Sequence, residues 1–238
     1  MKVKYLILFT LKELIPNFMN YSDRFLESLS ATFQMFFIAG AITLLLGGLF
    51  GILLVITRPD GIKPNKFIHS VLEIITNIFR SIPFIILLIF LIPFTRTLVG
   101  TSIGVKGAIV PLVFGAVPFF TRQVESALSA VDPGKVEAAR AMGSGIPGII
   151  FRVYLKEALP DLIRVITITA ISIIGLTTAA GAVGAGGLGS FAINYGQNMH
   201  YSDIVNVCVI LLLIIVSVIQ VIGNTLARKT TNKKLFQK

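Results

Sequence analysis

The stretch from Ser28 to Thr57 contains no Asp, Glu, Lys or Arg. About 20 consecutive, mainly apolar residues are enough for an α-helix to cross the hydrocarbon core of a bilayer. The rest of the chain is similar, because 55% of its 238 residues are hydrophobic and only 13% are charged, against about 25% charged in a soluble domain. The sequence therefore predicts an integral membrane protein without a separate soluble domain.

Gaps in the charge distribution predict five membrane spans in an all-α fold. The spans are expected at about 28–56, 67–93, 106–127, 161–183 and 204–227. The third contains Pro111 and Pro118, which a packed membrane helix tolerates because neighbouring groups bond to the freed backbone. A polar loop, 132–160, connects the third and fourth spans.

The side on which cations collect predicts the orientation. Most of the 21 Lys and Arg residues fall in segments that share a side with the C-terminus, and cytoplasmic loops carry an excess of Lys and Arg. We therefore expect the N-terminus outside and the C-terminus and the 132–160 loop in the cytoplasm. The predicted domains are an N-terminal interfacial extension (1–22), a transmembrane domain (23–228) and a basic cytoplasmic tail (229–238).

The first 20 residues superficially resemble a signal peptide, since Lys2 and Lys4 precede a short apolar run. Lys12, Glu13 and Pro16 shorten that run, and no small-residue cleavage site follows. An interfacial amphipathic helix is the preferred interpretation.

Missing chemistry excludes several classes of protein. His69 and His200 are predicted at opposite membrane faces and Cys208 in an apolar span, so no metal set or Cys/His pair is expected. No carboxylate is predicted near the bilayer midplane, which argues against an ion-coupled transporter and an integral-membrane enzyme. The net charge of +10 reflects membrane orientation, because the cations lack interleaved base-stacking aromatics; no nucleic acid is expected as a partner.

Two nucleotide-binding patterns also fail. The segment 184–189 satisfies G-x-G-x-x-G, but that pattern is meaningful only between a strand and a helix of a βαβ unit. No G-x-x-x-x-G-K-[ST] sequence occurs. We expect no cofactor in this chain and no intrinsic ATP binding.

The 132–160 loop predicts two short helices, Lys135–Met142 and about Ile146 to Ala158. Asp132 suits an N-cap, Pro133 the first helical position and Gly143 the residue just past the end. Leu159 and Pro160 are expected to stop the second helix. From these residues alone, the loop is either a docking site for another protein or a hairpin on the lipid headgroups.

The motif residues Glu137-Ala138-Ala139, Gly143, Val153 and Leu155 resemble the cytoplasmic EAA loop of ABC-importer permeases. The chain departs from that family pattern where Val153 replaces Ile and Lys156 replaces Pro. From about Asp23 to Arg228 it looks like the permease subunit of methionine ABC importers. The strings that carry this resemblance are NIFRSIPF (77–84), IPFTR (92–96), VGTSIG (99–104), AIVPL (108–112) and GAVGAGGLG (181–189).

The resemblance implies a homodimer in a bacterial inner membrane that imports an amino acid, D/L-methionine first of all. Two ABC ATPase subunits would hold ATP and Mg on the cytoplasmic side, and a lipid-anchored methionine-binding protein would deliver substrate from outside. The residues expected to couple to the ATPase are Glu137, Ala138, Ala139, Arg140, Met142, Gly143 and Leu155. A permease for another amino acid or a methionine derivative, and a channel or assembly protein without an energy source, remain alternatives.

Some further positions have expected structural roles. Arg80 is expected either to extend to the inner interface or to pair with Glu73. Positions where helices would bend, or where packing alone requires the residue, are Pro83, Pro111, Pro118, Gly184 and Gly186.

Overall fold

The computed structural model describes residues 15–235, with side chains to residue 231. The predictions for residues 1–14 and for the end of the basic tail lie outside the described residues. The described chain is helical, without strands. Its α-helices are α1 (Pro16–Asn20), α2 (Ser22–Thr57), α3 (Lys66–Ser81), α4 (Phe84–Phe90), α5 (Ile92–Val99), α6 (Gly104–Ser129), α7 (Pro133–Ala141), α8 (Ile146–Ile149), α9 (Leu155–Glu157), α10 (Leu159–Gly181), α11 (Gly187–Phe191) and α12 (Ser202–Leu235). Two π-helical segments, Ile150–Tyr154 and Ala192–Gln197, complete the helical structure of the described residues.

Four helices of the described chain, α2, α6, α10 and α12, are long and apolar enough to cross a membrane. The pair α3 and α4 passes the same test together, which gives up to five spans and agrees with the predicted fold class. The helices α2 and α6 approach closely because α2 has glycine at the contact. A Cβ on Gly51 would lie 2.6 Å from the Cβ of Val124.

The second predicted span, 67–93, is broken. Helices α3 and α4 meet at an angle of 104°. Ile82 has extended backbone torsions between them, as expected for a residue that precedes a proline. Pro83 is the N-cap residue of α4. The second predicted span, 67–93, therefore consists of two helices, and the break between them lies at Pro83, one of the positions where a bend was expected.

The other proline and glycine positions differ from Pro83. Helix α6 continues from Gly104 to Ser129 through Pro111 and Pro118, both buried. Gly184 and Gly186 lie in the turn that joins α10 to α11, with φ values of 91° and 79°. That left-handed conformation is open to glycine at little cost.

An aromatic cluster packs the start of the described chain against the beginning of α12. Its members are Phe18, Tyr21, Phe25, Phe191, Tyr195 and Tyr201. Asp203, in the first turn of α12, accepts hydrogen bonds from the backbone N–H groups of Asn17 (3.0 Å) and Phe18 (3.1 Å). Helix α1 is thus fixed to the end of the bundle that the sequence predicts to be outside.

Candidate coupling site

The loop between α6 and α10 begins with a well-capped helix, α7. The Oδ1 atom of Asp132 accepts a 2.8 Å hydrogen bond from the N–H of Gly134, which confirms Asp132 as the N-cap. At the other end Gly143 has a φ of 78°. Its N–H donates to the carbonyl of Arg140, and the N–H of Ser144 donates to that of Ala139. This paired bonding is a Schellman motif, so the predicted end at Gly143 is also confirmed.

The second part of the loop is less regular than predicted. Instead of one helix from Ile146 to Ala158 it contains α8, a π-helical turn over Ile150–Tyr154, and α9. Pro160 lies in the first turn of α10, where the absence of an N–H costs nothing. The preceding helical segment ends at Glu157, just before Leu159 and Pro160, as expected, and these two residues begin α10.

One face of the loop is buried against the bundle. The buried loop residues are Val136, Ala139, Ile149, Tyr154 and Ala158. They form one apolar cluster with residues at the ends of α2, α6 and α10, namely Val55, Ile56, Phe120, Val124, Leu128 and Val165. Burial raises the pKa of the Tyr154 phenol. The loop therefore rests on three spans and is not a free hairpin.

Burial separates the predicted coupling residues into two groups. Ala139 is only 5% exposed, so its side chain faces the bundle. Leu155 is partly buried against the same apolar cluster. Ala139 and Leu155, both expected to couple to the ATPase, therefore pack toward the bundle and hold the loop in place.

The remaining predicted residues face outward. They are Glu137, Ala138, Arg140, Met142 and Gly143, all exposed. The Met142 side chain is 79% exposed, and Phe151 on the adjoining π-helical turn is 68% exposed. Both border a shallow depression of about 590 Å³. Phe151 was not among the residues predicted to couple, although an aromatic residue in a polar loop is a usable signal in the sequence.

An ion pair ties the two halves of the loop together. Lys135 Nζ lies 2.7 Å from Glu157 Oε2. The hydrogen bond to Glu157 and its negative charge raise the pKa of the Lys135 ammonium group. Lys156, which replaces the family proline, is exposed.

A polar network that the sequence analysis missed lies where α3 packs against α6. Arg122 Nη1 donates to Glu125 Oε2 at 2.6 Å, and Arg122 Nη2 donates to Glu73 Oε1 at 3.2 Å and to Asn77 Oδ1 at 2.9 Å. His69, one turn before Glu73, contacts the carbonyl oxygen of Leu54 on α2 at 3.1 Å. Glu73 is therefore paired with Arg122, and the prediction that it pairs with Arg80 is wrong.

The described residues contain no group of three or more His, Cys, Asp or Glu side chains that could hold a metal ion. Cys208 is buried beside Phe191 and Ile204, as a packing residue. The residues of G-x-G-x-x-G form the turn into α11, where Leu188 N–H donates to Thr32 Oγ1 at 2.8 Å. That turn packs α11 against α2, and the part of the chain that the structure describes has no strand beside it.

Three kinds of similarity extend the interpretation. Residues 44–232 match the family described as binding-protein-dependent transport system inner membrane component. The probable D-methionine transport system permease protein MetI of Vibrio cholerae is 42% identical over 212 residues, covering 89% of this chain and 94% of that protein. The methionine import system permease protein MetP of Bacillus subtilis is 47% identical over 172 residues, covering 72% of this chain and 78% of that protein.

Solved structures agree with these sequence relatives. A chain of the MetNI methionine ABC transporter in an inward-facing conformation superposes with a TM-score of 0.85 and 43% identity, over 89% of this chain and 98% of that one. An amino acid ABC transporter with histidines gives a TM-score of 0.75 at 18% identity, which establishes a shared fold alone. The family match excludes the integral-membrane enzyme considered above. This chain belongs to the family of multi-pass inner membrane components of binding-protein-dependent transport systems.

Proposed function

We propose that this chain is the permease subunit of an ATP-driven importer for methionine. The support is the family match together with two relatives, named for methionine transport, that are 42% and 47% identical to it. Related amino acids and methionine derivatives remain within the same substrate class, since the described spans hold no group that selects a thioether by charge or metal binding.

Helix α7 is the proposed point of contact with a separate ABC ATPase subunit. The single observation that carries this proposal is the division of α7 into two faces. Val136 and Ala139 are buried against the bundle, whereas Glu137, Ala138 and Arg140 on the same nine-residue helix, and Met142 directly after it, are exposed. A helix that is fixed on one side and offers small, charged and flexible apolar side chains on the other suits a groove in a partner protein.

The working unit would contain two copies of this chain, two ATPase subunits with their ATP and Mg, and an external lipid-anchored binding protein. Its N-terminus would lie outside and its basic tail in the cytoplasm, as the distribution of cations indicates. The apolar residues exposed along the described spans, such as Leu213 (62%) and Val221 (65%) on α12, would contact lipid or the second copy. When the ATPases close on ATP, α7 would move with them and shift the spans between inward- and outward-open states.

The test is ATP-dependent accumulation of radiolabelled D- and L-methionine in vesicles that hold permease, ATPase and binding protein. We expect uptake only when ATP is present on the side of the membrane where the ATPase subunits bind. Accumulation that does not require ATP would support a channel instead. If another amino acid accumulates and methionine does not, the assignment as a permease stands and the assignment of methionine as substrate is wrong.

Docking is tested with Glu137→Lys and Gly143→Asp. Both variants should elute as folded protein on size exclusion but recover at least about tenfold less ATPase on co-purification, a loss equivalent to about 1.4 kcal/mol. Glu27→Lys is the matched control, because it makes the same charge change on an exposed residue at the other end of α2. Wild-type recovery by both loop variants would contradict the docking assignment.

A further inference from the structure

A cavity of about 230 Å³ lies beside the break between α3 and α4, and the Arg80 side chain lines it. Its other walls are mainly apolar and include Phe79, Phe84, Phe119 and Leu176. At about 30 Å³ per water molecule, this volume accommodates several waters or one small solute. The cavity combines one permanent positive charge with aromatic and aliphatic walls.

The cavity lies beside the middle of α6, a helix long and apolar enough to cross a membrane. Gly115 of α6 also lines it, and a Cβ on Gly115 would lie 3.1 Å from the Phe84 ring. Gly115 is about 17 Å along the helix from Gly104 and about 21 Å from Ser129, at 1.5 Å per residue. Because α6 is long enough to span the membrane, we infer that Arg80 faces the cavity from near the middle of the bilayer, as an alternative to the expected position at the inner interface.

Arg80 has no counter-charge at this depth. Glu73, the acidic residue of the same helix, is paired with Arg122. Across residues 15–231, Arg80 forms no hydrogen bond or ion pair with another side chain. The acidic residues of the long spans lie near helix ends, so a second copy would offer no carboxylate at this level either. They are Asp23, Glu27, Glu125, Asp161 and Asp203.

An arginine in this position is costly to keep in a membrane protein unless it faces water or a ligand. Lipid phosphate is too far away, because the headgroups lie about 15 Å from the midplane of a hydrocarbon core about 30 Å thick. The anion that crosses the membrane at this depth in an amino-acid permease is the substrate carboxylate. A guanidinium group binds a carboxylate through two parallel hydrogen bonds.

We propose that Arg80 binds the carboxylate of the amino-acid substrate during translocation, while Phe79, Phe84 and Phe119 receive its apolar side chain. Aromatic walls suit a thioether because sulfur–aromatic contacts are favourable. Helix α3 ends at Ser81, and Pro83 has no N–H to donate to the last carbonyl groups of α3. Those carbonyl oxygens carry the partial negative charge of the carboxyl end of α3 and interact favourably with the substrate ammonium group. The assignment rests on the proposed function as an amino-acid permease.

The experiment compares wild-type complex with Arg80→Met, which keeps an unbranched, flexible side chain but removes the charge and the hydrogen-bond donors. Lys106→Met is the matched control, since Lys106 is an exposed cation near the outer end of α6. Two readouts are needed: ATP-driven methionine uptake in vesicles, and binding of radiolabelled methionine to the permease–ATPase complex without binding protein. Methioninol, which has an alcohol in place of the carboxylate, serves as the competing probe.

We expect Arg80→Met to lower uptake and methionine binding at least tenfold while the ATPase still hydrolyses ATP and co-purifies normally. Lys106→Met should behave as wild type, and methioninol should compete poorly with methionine for the wild-type complex. Unchanged uptake and binding in Arg80→Met would overturn the proposal, as would loss of ATPase recruitment together with uptake. If the wild-type complex accumulates another zwitterionic amino acid, methionine fails as the substrate but the Arg80 test is repeated with that amino acid.

Discussion

Arg122 Nη2 lies 3.2 Å from Glu73 Oε1, and this ion pair joins α6 to α3 across a partly buried contact. The Arg122 side chain is 19% exposed and also binds Glu125, itself 19% exposed. Arg122 is seven residues, or about 10 Å, from the end of α6 at Ser129. The pair therefore fixes the half of the broken span that precedes Pro83, while the half that follows it packs elsewhere along α6.

Replacing Arg122 by Met should destabilise the purified permease. The substitution leaves Glu73 and Glu125 without their shared partner in a partly buried site, and we expect a loss of about 1–3 kcal/mol. The midpoint temperature of thermal unfolding in detergent should fall by about 2–4 °C for each kcal/mol of stability lost. Arg164→Met is the control, because the Arg164–Asp161 pair is about half exposed and such pairs contribute about 0–1 kcal/mol. Equal midpoints for the two variants would contradict the assigned role of Arg122.

The two faces of α7 predict opposite effects at adjacent alanines. Ala139→Leu adds a large side chain at a buried position and should cost about 1–3 kcal/mol through overpacking. Ala138→Leu, at the exposed neighbouring position, should leave stability within about 0.5 kcal/mol. Unfolding midpoints of the permease without ATPase measure both. A larger loss for Ala138→Leu would reverse the assignment of the faces.

The packing of α11 on α10 predicts intolerance of any side chain at Gly189. A Cβ there would collide with the backbone carbonyl of Thr178, so Gly189→Ala should lower stability by about 2 kcal/mol or more. Gly175→Ala is the matched control on α10, since nothing lies within 4 Å of its Cβ position. That change should stabilise the helix by about 0.5–1 kcal/mol. Thermal unfolding of both variants gives the comparison, and tolerance of Ala at 189 would refute the close approach.

Asp203 predicts how firmly α1 is held. In the native protein Oδ2 of Asp203 accepts from the N–H groups of Asn17 and Phe18, and Oδ1 accepts from the Asn17 side-chain amide. Asp203→Asn removes the charge and leaves one acceptor oxygen for these three donors. Hydrogen exchange at those two amides should speed up by about 5- to 30-fold, as a loss of about 1–2 kcal/mol implies. Asp23→Asn makes the same change at an exposed site in the first turn of α2 and should leave exchange at Asn17 and Phe18 unaltered. Unchanged exchange in Asp203→Asn would exclude the clamp.

The membrane spans were predictable because charge depletion is a property of the chain alone. The ends of the spans were less predictable. Helix α2 begins at Ser22, although Asp23, Arg24 and Glu27 precede the uncharged stretch, since charged side chains at a helix end can extend into the interface. Helix α12 continues past Ala227 to Leu235, where Arg and Lys are good helix formers and favour the carboxyl end of a helix.

Tertiary contacts determined what the sequence analysis missed. Pro83 was a predictable bend, but the 104° angle depends on how α4 packs against α6. The inward orientation of Ala139 depends on the apolar surface that α2, α6 and α10 present to it, because three closely spaced alanines give no periodic signal. The Glu73–Arg122 pair joins residues 49 positions apart, which no local pattern reveals.

The apolar cluster that packs α7 against the bundle determines how a movement of α7 reaches the spans. If the docking helix were joined to the bundle only by flexible linkers, a force applied by the partner would change the conformations of the linkers and would not move the spans. Here the side chains under Glu137 and Met142 are packed in one continuous cluster with α2, α6 and α10, and close-packed interiors transmit strain because they are hard to compress. The loop is therefore rigidly coupled to the bundle, and a displacement of α7 is transmitted to α2, α6 and α10 together.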